Sequence, residues 1–329
     1  MKKRILGKTG FEISEIGTGT WQVGGKWGSP FSHANADAIL NTAVDNGVNF
    51  IDTTDVYSDG ESEKAVGRLL HSRSERIYVA TKCGRRITPH TNEGYTTKVL
   101  RKYVEDSLRT IEQETIDLIQ LHCMPSETYE RPEIFALFDD LKKEGKIQHL
   151  GVSVKTVNQA LRAMEYENVA TVQIIFNMLR QLPSENFFAE AKKKNVGILA
   201  RVPLASGLLT GKFTAETTFD KGDYRAPIKD NKQFSNNEAF GGLDYRKGLD
   251  AVDELKKLFH VQANLSALAL KWILMFPEVS CVIPGASRPD QMMANIHAAD
   301  LPEFSTEIME DIRQIYKTHI SPNIAHVLW

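Results

Sequence analysis

The sequence has little excess charge of either sign, because its 40 Lys and Arg residues stand against 42 Asp and Glu residues, for a formal net charge of −2. A nucleic-acid-binding protein needs excess positive charge to neutralise phosphates, so we expect no nucleic-acid partner. The sequence also lacks an apolar run of the ~18 residues that cross a bilayer, and no apolar segment of a secretory signal follows its basic start. We therefore expect a cytoplasmic protein with no membrane partner.

Cysteine is scarce as well: the chain has three, Cys83, Cys123 and Cys281, and none belongs to a C-x-x-C pair. An odd, scattered set predicts neither a disulfide framework nor a zinc site, so we expect reduced thiols and no bound metal. Apolar residues, by contrast, make up 42% of the chain and charged residues 25%. Such a composition excludes disorder as the main state and allows a large buried core.

Eight short apolar runs rich in Val, Ile and Leu recur along the chain, and each is followed by an amphipathic stretch. The runs cover residues 16–19, 48–52, 77–82, 116–122, 147–153, 170–177, 196–203 and 279–284. Near-continuous apolar runs are typical of parallel strands that are covered on both faces. Eightfold strand–helix alternation therefore predicts an α/β (β/α)8 TIM barrel rather than a doubly wound sheet.

The stretches between and after these runs have helical periodicity. The predicted helices cover residues 35–46, 63–70, 97–111, 132–144, 157–164, 184–194, 265–276 and 289–298. Residues 4–6 and 12–14 predict an N-terminal β-hairpin, and residues 247–260 and 306–317 predict extra helices. Residues 214–242 have no clear period and predict a long functional or mobile loop. No interdomain linker is evident, so we expect one domain over residues 1–329.

Four ionisable side chains are expected to meet at the carboxyl ends of the strands, where barrel enzymes have their active sites. Asp52, Lys82 and His122 end three consecutive runs, and Tyr57 lies in the loop after Asp52. Each alone has an ordinary structural explanation. Together, a lysine lowers the pKa of a nearby tyrosine from ~10, and the aspartate holds the lysine in place. This trio suits proton delivery from Tyr57, while His122 could orient a carbonyl oxygen.

Five motifs follow one another along nearly the whole chain. They are GVNFIDTTDVY at 47–57 with GESE at 60–63, QLH at 120–122, GVS at 151–153, PLASGLLTGK at 203–212, and IPGASRP at 283–289 with Gln291 and Asn295. In order and spacing they resemble the motifs of the aldo-keto reductase superfamily. The resemblance is to its longer-chain bacterial branch, which also resembles potassium-channel β subunits.

This resemblance implies a reductase that transfers hydride from NADPH to an aldehyde or ketone, with a catalytic tetrad of Asp52, Tyr57, Lys82 and His122. Tyr57 is then the general acid in reduction and the base in the reverse direction, and Tyr57 and His122 contact the substrate. The residues implied to bind NADPH or NADP+ are Ser153 and Gln173 at the carboxamide, Leu204, Ser206, Leu208 and Lys212 at the pyrophosphate, and Thr20, Trp21, Asp52, Arg201, Pro203, Gly285, Ser287, Arg288, Gln291 and Asn295 elsewhere.

The cofactor's 2′-phosphate has a physical argument of its own. Pro289 suits the first turn of a helix, so Ser287 and Arg288 precede an amino end that attracts anions, and arginine offers a fork suited to phosphate. The alternative is an ordinary helix cap with a solvated arginine. No G-x-G-x-x-G follows a strand, so a Rossmann site is not expected.

Three positions depart from the family pattern. Val154 stands where the family usually has Asn, and Ala294 where Glu is frequent. Arg201 stands where many members place an aromatic ring against the nicotinamide. Arg201 either stacks on that ring or pairs with a nearby carboxylate.

The substrate mouth and the oligomeric state are poorly specified by the sequence. Trp21, Trp27 and Met124 lie in loops that should face the mouth, Trp329 could fold over it, and Trp21 is the one predicted to contact substrate and cofactor. A cofactor-binding regulatory subunit is one alternative function. A metal-dependent hydrolase or isomerase is disfavoured, because it would need His and carboxylate ligands clustered at the strand ends.

Overall fold

A ring of parallel strands in chain order forms the centre of the molecule. The computed structural model describes residues 1–25, 29–220, 223–226, 240, 243–260, 264–322 and 324. The hairpin strands are β1 (Lys3–Ile5) and β2 (Glu12–Ser14), and the ring strands are β3 (Thr18–Gly19), β4 (Phe50–Asp52), β5 (Tyr78–Cys83), β6 (Ile116–His122), β7 (Ile147–Ser153), β8 (Val169–Ile175), β9 (Gly197–Arg201) and β10 (Val279–Val282).

Backbone hydrogen bonds close the ring between its first and last strands. Gly17 N donates to Val282 O at 2.9 Å, and Val282 N donates to Glu15 O at 3.0 Å. Gly19 N donates to Pro284 O at 3.0 Å on the far side of β3. The (β/α)8 barrel predicted from the eight apolar runs is therefore confirmed, as is the N-terminal hairpin.

Helices surround the ring. They are α1 (His33–Asp45), α2 (Glu61–Ser72), α3 (Thr97–Ile111), α4 (Pro132–Lys143), α5 (Val157–Ala163), α6 (Phe187–Lys193), α7 (Tyr245–Leu258), α8 (Ser266–Leu274), α9 (Pro289–His297) and α10 (Thr306–His319). Their amino ends follow the usual capping chemistry: the Ser32 side chain accepts from Asn35 N before α1, and Pro289 opens α9. The two extra helices predicted near the C-terminus are α7 and α10. None of the described helices is long and apolar enough to cross a membrane.

The hairpin closes the amino-terminal end of the barrel. Leu6 and Ile13 are fully buried in one cluster with strand residues that include Phe50 and Leu118. Gly7 has a φ of +50°, and a Cβ there would come within 2.1 Å of the Gly197 backbone nitrogen, so the hairpin turn requires glycine. With this end filled, the carboxyl ends of the strands are left for a functional site.

Many element boundaries differ from the predictions by one to three residues, and two of these differences have a visible cause. The first strand covers Thr18–Gly19 rather than residues 16–19, because Ile16 forms only an isolated bridge to Val282. The second helix begins at Glu61, directly after the left-handed Gly60, rather than at residue 63.

Candidate functional site

The predicted site residues lie at the carboxyl ends of neighbouring strands. Asp52 ends β4, Lys82 is the penultimate residue of β5, and His122 and Ser153 end β6 and β7, where they pair across the two strands. Tyr57 follows β4 by five residues, at the start of a tight turn. Strand register therefore brings these side chains to one end of the barrel.

A buried ion pair forms the centre of the site. Lys82 Nζ lies 2.6 Å from Asp52 Oδ2, and the side chains are 1% and 6% exposed. Lys82 Nζ also donates to the Thr53 carbonyl oxygen at 2.8 Å. The other aspartate oxygen, Oδ1, accepts from Gln173 Nε2 at 2.7 Å and from Gln120 Nε2 at 3.1 Å. Both charged side chains therefore have an opposite charge and hydrogen-bond partners inside the barrel, as a buried ion pair requires.

Tyr57 lies beside that cation. Lys82 Nζ is 5.4 Å from the centroid of the Tyr57 ring, close enough for a cation–π attraction. The buried ion pair therefore lies directly against the tyrosine that the sequence analysis predicted to be the acid. The next two residues, Ser58 and Asp59, have left-handed φ values of 49° and 53°, and they turn the chain directly into α2.

Trp21 covers the outer side of Tyr57. The two rings are stacked with centroids 5.9 Å apart, and Trp21 is 42% exposed. Trp21 also contacts the predicted long loop, because the centroid of the Tyr224 ring lies 4.8 Å from that of the Trp21 ring. A described part of the 214–242 loop thus reaches the site, although sequence reasoning did not single out Tyr224.

His122 is linked through Thr54 to the buried acid Asp55, which sequence reasoning missed, as it missed the neighbouring buried acid Glu63. His122 Nδ1 lies 3.4 Å from Thr54 Oγ1, which in turn lies 3.1 Å from Asp55 Oδ1. Burial, reinforced by the negative charge of Glu63, raises the pKa of Asp55 to about 7. Burial also raises the pKa of Glu63, whose Oε1 accepts from Thr81 Oγ1 at 2.5 Å. Both acids lie within the first motif, at 47–57 with 60–63, but beyond the apolar run at 48–52, so no apolar pattern indicated their burial.

The residues predicted at the carboxamide lie next to Asp52. Ser153 Oγ donates to Gln173 Oε1 at 3.1 Å, and both residues are buried. Thr20 is fully buried, its backbone nitrogen donates to the Asp52 carbonyl oxygen at 3.0 Å, and its Oγ1 has no hydrogen-bond partner among the described residues. The backbone nitrogen of Val154, where the family pattern has Asn, donates to the Gln173 carbonyl oxygen at 2.9 Å.

Arg201 is the last residue of β9, and its side chain contacts the loops that follow two neighbouring strands. Its Nη2 donates to the Val154 carbonyl oxygen at 3.0 Å and lies 3.5 Å from Cys123 Sγ. These contacts connect the ends of β6, β7 and β9. They give Arg201 a structural role between the loops, whichever of the two predicted interactions it also makes.

The predicted pyrophosphate segment forms a short helical turn, Ala205–Thr210, after β9. Ser206 Oγ accepts from the Phe240 backbone nitrogen at 3.0 Å, and its carbonyl oxygen accepts from Arg225 Nη1 at 3.1 Å. Leu208 is fully buried, so only its backbone can face a ligand, while Lys212 is exposed. Pro203 is buried and Leu204 half-buried.

Arg225 is a further residue that the sequence analysis did not single out. Its guanidinium donates to both carboxylate oxygens of Asp223, at 2.8 Å and 2.5 Å, and lies 4.7 Å from the Phe219 ring centroid. It therefore holds the described part of the long loop against the Ala205–Thr210 turn.

The predicted adenine-phosphate residues lie in α9 and in the segment directly before it. Ser287 donates from its backbone nitrogen and its hydroxyl to Gln291 Oε1, at 2.9 Å and 3.0 Å. Asn295 Nδ2 donates to the Gly285 carbonyl oxygen at 3.2 Å. One contact here was not predicted: the Arg288 guanidinium donates to both carboxylate oxygens of Asp290, at 2.9 Å and 3.0 Å.

Unlike Trp21, the other three residues predicted at the substrate mouth are not found there in the described structure. Met124 is 1% exposed and belongs to the main hydrophobic cluster, so it packs in the core. Trp27 and Trp329 lie outside the described residues. No group of three or more His, Cys, Asp or Glu side chains that could hold a metal occurs in the described part of the chain.

Comparison with known proteins places this geometry in a family. The family model described as "Aldo/keto reductase family" matches residues 15–317. The structure of a glycerol dehydrogenase from Gluconobacter oxydans, AKR11B4, superimposes with a TM-score of 0.77 at 30% identity, covering 97% of this chain and 96% of that one.

Two relatives differ in what their names say they do. The NADH-specific methylglyoxal reductase of Escherichia coli strain K12 is 27% identical, over 92% of this chain and 94% of its own length. A protein of Oryza sativa subsp. japonica, described as "Probable voltage-gated potassium channel subunit beta", is 25% identical over 97% of both chains.

Proposed function

The chain belongs to the aldo/keto reductase family of oxidoreductases, and from this premise we propose that it reduces an aldehyde or ketone to an alcohol, with NADPH as hydride donor and Tyr57 as proton donor. One observation carries the proposal: the buried Lys82–Asp52 ion pair lies beside the Tyr57 ring. A protein that only bound a cofactor would have no need of an activated acid at this place.

The roles of the four residues follow from their contacts. Asp52 holds Lys82 charged and fixed in position, and Lys82 stabilises the phenolate that remains after Tyr57 gives its proton to the carbonyl oxygen. His122, at the end of the neighbouring strand, orients that oxygen by a hydrogen bond. In alcohol oxidation the same phenolate takes the proton back.

The residues present fit a nicotinamide cofactor, which when bound supplies the hydride. Thr20 offers a buried hydroxyl without a described partner next to Asp52, and Ser153 offers a hydroxyl and Gln173 an amide to a carboxamide. Trp21 is the aromatic face beside Tyr57. The rest of the proposed cofactor surface consists of Arg201, Pro203, Leu204, Ser206, Leu208, Lys212, Gly285, Ser287, Arg288, Gln291 and Asn295.

We favour NADPH over NADH because of Arg288. It stands immediately before the first turn of α9, where free backbone N–H groups attract an anion, and its fork suits phosphate. Asp290 now occupies that fork, so a 2′-phosphate has to compete with it. The E. coli relative named as NADH-specific marks this preference as one that can differ between similar chains.

A cofactor-binding regulatory protein is the second candidate, favoured by the similarity to the rice protein described as a channel β subunit. The two functions are separated by NADPH oxidation, followed by absorbance, on a panel of aldehydes, ketones and sugars, with NADPH titrated into the same preparation by fluorescence. We expect turnover of at least one carbonyl. Tight NADPH binding without any turnover would favour the regulatory candidate, and absence of binding to NADPH and NADH alike would contradict both.

A further inference from the structure

We propose that Asp55, acting through the Thr54 hydroxyl, decides which ring nitrogen of His122 carries the proton. Asp55 is thus a positioning residue, because it acts on the reaction only through His122. The meaning of this for catalysis rests on the proposed function, but the hydrogen-bond geometry behind it does not.

The geometry is a competition for one hydrogen. Thr54 Oγ1 lies 3.1 Å from Asp55 Oδ1, 3.4 Å from His122 Nδ1 and 3.4 Å from the Lys82 carbonyl oxygen. A hydroxyl donates one hydrogen and accepts through its lone pairs. Whichever neighbour takes that hydrogen therefore fixes what the others must do.

When Asp55 is ionised, the hydroxyl donates to its carboxylate, the nearest and only charged acceptor. Thr54 Oγ1 then accepts from His122 Nδ1–H, so the neutral imidazole has a bare Nε2. When Asp55 is protonated, its Oδ1–H donates to Thr54 Oγ1, and the Thr54 hydrogen turns to His122 Nδ1. The imidazole proton then sits on Nε2, the tautomer that can donate to a carbonyl oxygen.

Asp55 is placed so that both forms are accessible. It is 7% exposed, and its Oδ2 has no hydrogen-bond partner among the described residues, which penalises the ionised form. The titratable and charged groups that face it are Glu63 on α2, Lys82 and Cys83 on β5, and Arg86 and Tyr95 in the loop after β5. Burial and Glu63 raise the pKa of Asp55 to about 7, against the opposing effect of the Thr54 hydrogen bond, Arg86 and Lys82.

The direction of the effect on catalysis follows. As the pH falls through neutrality, Asp55 takes up a proton, and the share of neutral His122 with Nε2–H increases. Carbonyl reduction requires a hydrogen-bond donor at His122 Nε2, so this change of tautomer favours reduction at pH values below the titration of Asp55. This Asp55–Thr54–His122 relay adds a step to the pH profile of kcat/KM, and that step is independent of the Tyr57 proton.

The test is 15N NMR of the histidine rings of the full chain without cofactor, because a protonated and a bare ring nitrogen have different shifts. The chain has nine histidines, and the signals of His122 are assigned by their loss in His122→Gln. We expect the parent's Nδ1 and Nε2 shifts to move in opposite directions across neutral pH as the tautomer inverts. Ionisation of His122 itself is distinguished because it protonates both nitrogens.

The variants give matched expectations. Asp55→Asn, whose amide can donate to Thr54 at every pH, keeps the Nε2–H tautomer throughout. Thr54→Val removes the relay, and Thr54→Ser restores it. Glu63→Gln removes a charge that favours protonated Asp55, so the inversion moves to lower pH.

A parent with no inversion would overturn the proposal, and so would an inversion in Thr54→Val or Asp55→Asn like that of the parent. The parent titration needs no variant, so a misfolded variant does not remove the test. Where turnover is measurable, Asp55→Asn should lose the corresponding step in the pH profile of kcat/KM. A normal NMR result in a protein that reduces no carbonyl would contradict the proposed function and leave the relay standing.

Discussion

Replacing Lys82 by methionine removes an ammonium whose side chain is 1% exposed and leaves the Asp52 carboxylate buried without a counter-ion. Removal of one partner of a buried ion pair costs about 3–5 kcal/mol. In Lys82→Met, Asp52 Oδ1 keeps its hydrogen bonds from Gln120 and Gln173, so we expect the lower end of that range. In Asp52→Asn, the buried ammonium keeps the Thr53 carbonyl oxygen but loses its opposite charge, so we expect the upper end.

The assay is urea unfolding of the parent, the two single variants and the double variant. Because the two groups touch, the double variant should cost less than the sum of the singles, with a coupling free energy of roughly 2–3 kcal/mol. The matched control is Arg101→Met, which breaks a 2.7 Å ion pair to Glu144 with side chains 32% and 39% exposed. An exposed pair is worth below about 1 kcal/mol.

A loss below about 1 kcal/mol in both Lys82→Met and Asp52→Asn would mean that the pair behaves like the exposed control. Lys82 would then not act as a buried charge held beside Tyr57 by Asp52. A coupling near zero in the double variant would mean the same.

Three further predictions concern the cofactor end, the loop junction and the buried acid. NADPH should bind at least roughly tenfold tighter than NADH, a difference of about 1.4 kcal/mol, in fluorescence titrations. Arg288→Ala should reduce this difference in affinity, and Asp290→Asn should increase it. Equal dissociation constants for the two cofactors in the parent would contradict a 2′-phosphate site at Arg288. Arg201→Ala should lower the free energy of unfolding by about 1.5–3 kcal/mol, the worth of a hydrogen bond from a charged group; a changed ratio of NADP+ to NADPH affinity without loss of stability would instead show a nicotinamide contact. The raised pKa of Asp55 means that its stabilising contribution is present below pH 3.8 and is lost as the pH rises to about 7. Above neutral pH, Asp55→Asn should therefore exceed the parent in free energy of unfolding by roughly 2–4 kcal/mol, but not near pH 4. A gain that is independent of pH in unfolding experiments would refute this.

The barrel could be predicted because its signal repeats. Each parallel strand is covered on both faces and so gives a continuous apolar run, and the polar residue that ends a run then lies at the active-site end. Asp52, Lys82 and His122 were found in this way. Ile16 shows the limit of the signal, because an apolar residue beside a strand forms one bridge or a full ladder depending on its neighbours.

Contacts between side chains distant in sequence could not be predicted. Gln120 and Gln173 both donate to Asp52 because of strand register and rotamer, neither of which an apolar pattern specifies. The fork of Arg288 on Asp290 is local, and its two-residue spacing in the sequence could have suggested it. Tyr224 reaches Trp21 from a loop without periodicity, and no sequence signal points to that contact.

If Tyr57 delivers the proton, Tyr57→Phe, which removes only its hydroxyl, should slow the single-turnover rate of carbonyl reduction. General acid catalysis contributes roughly 10²–10⁴-fold, so the rate should fall by at least that order while the NADPH dissociation constant changes little. The matched control is Tyr78→Phe, because Tyr78 also lies under a cation, with Arg76 4.3 Å from its ring centroid, but at the opposite end of the barrel. We expect the parent rate from Tyr78→Phe; a parent rate from Tyr57→Phe would contradict the account.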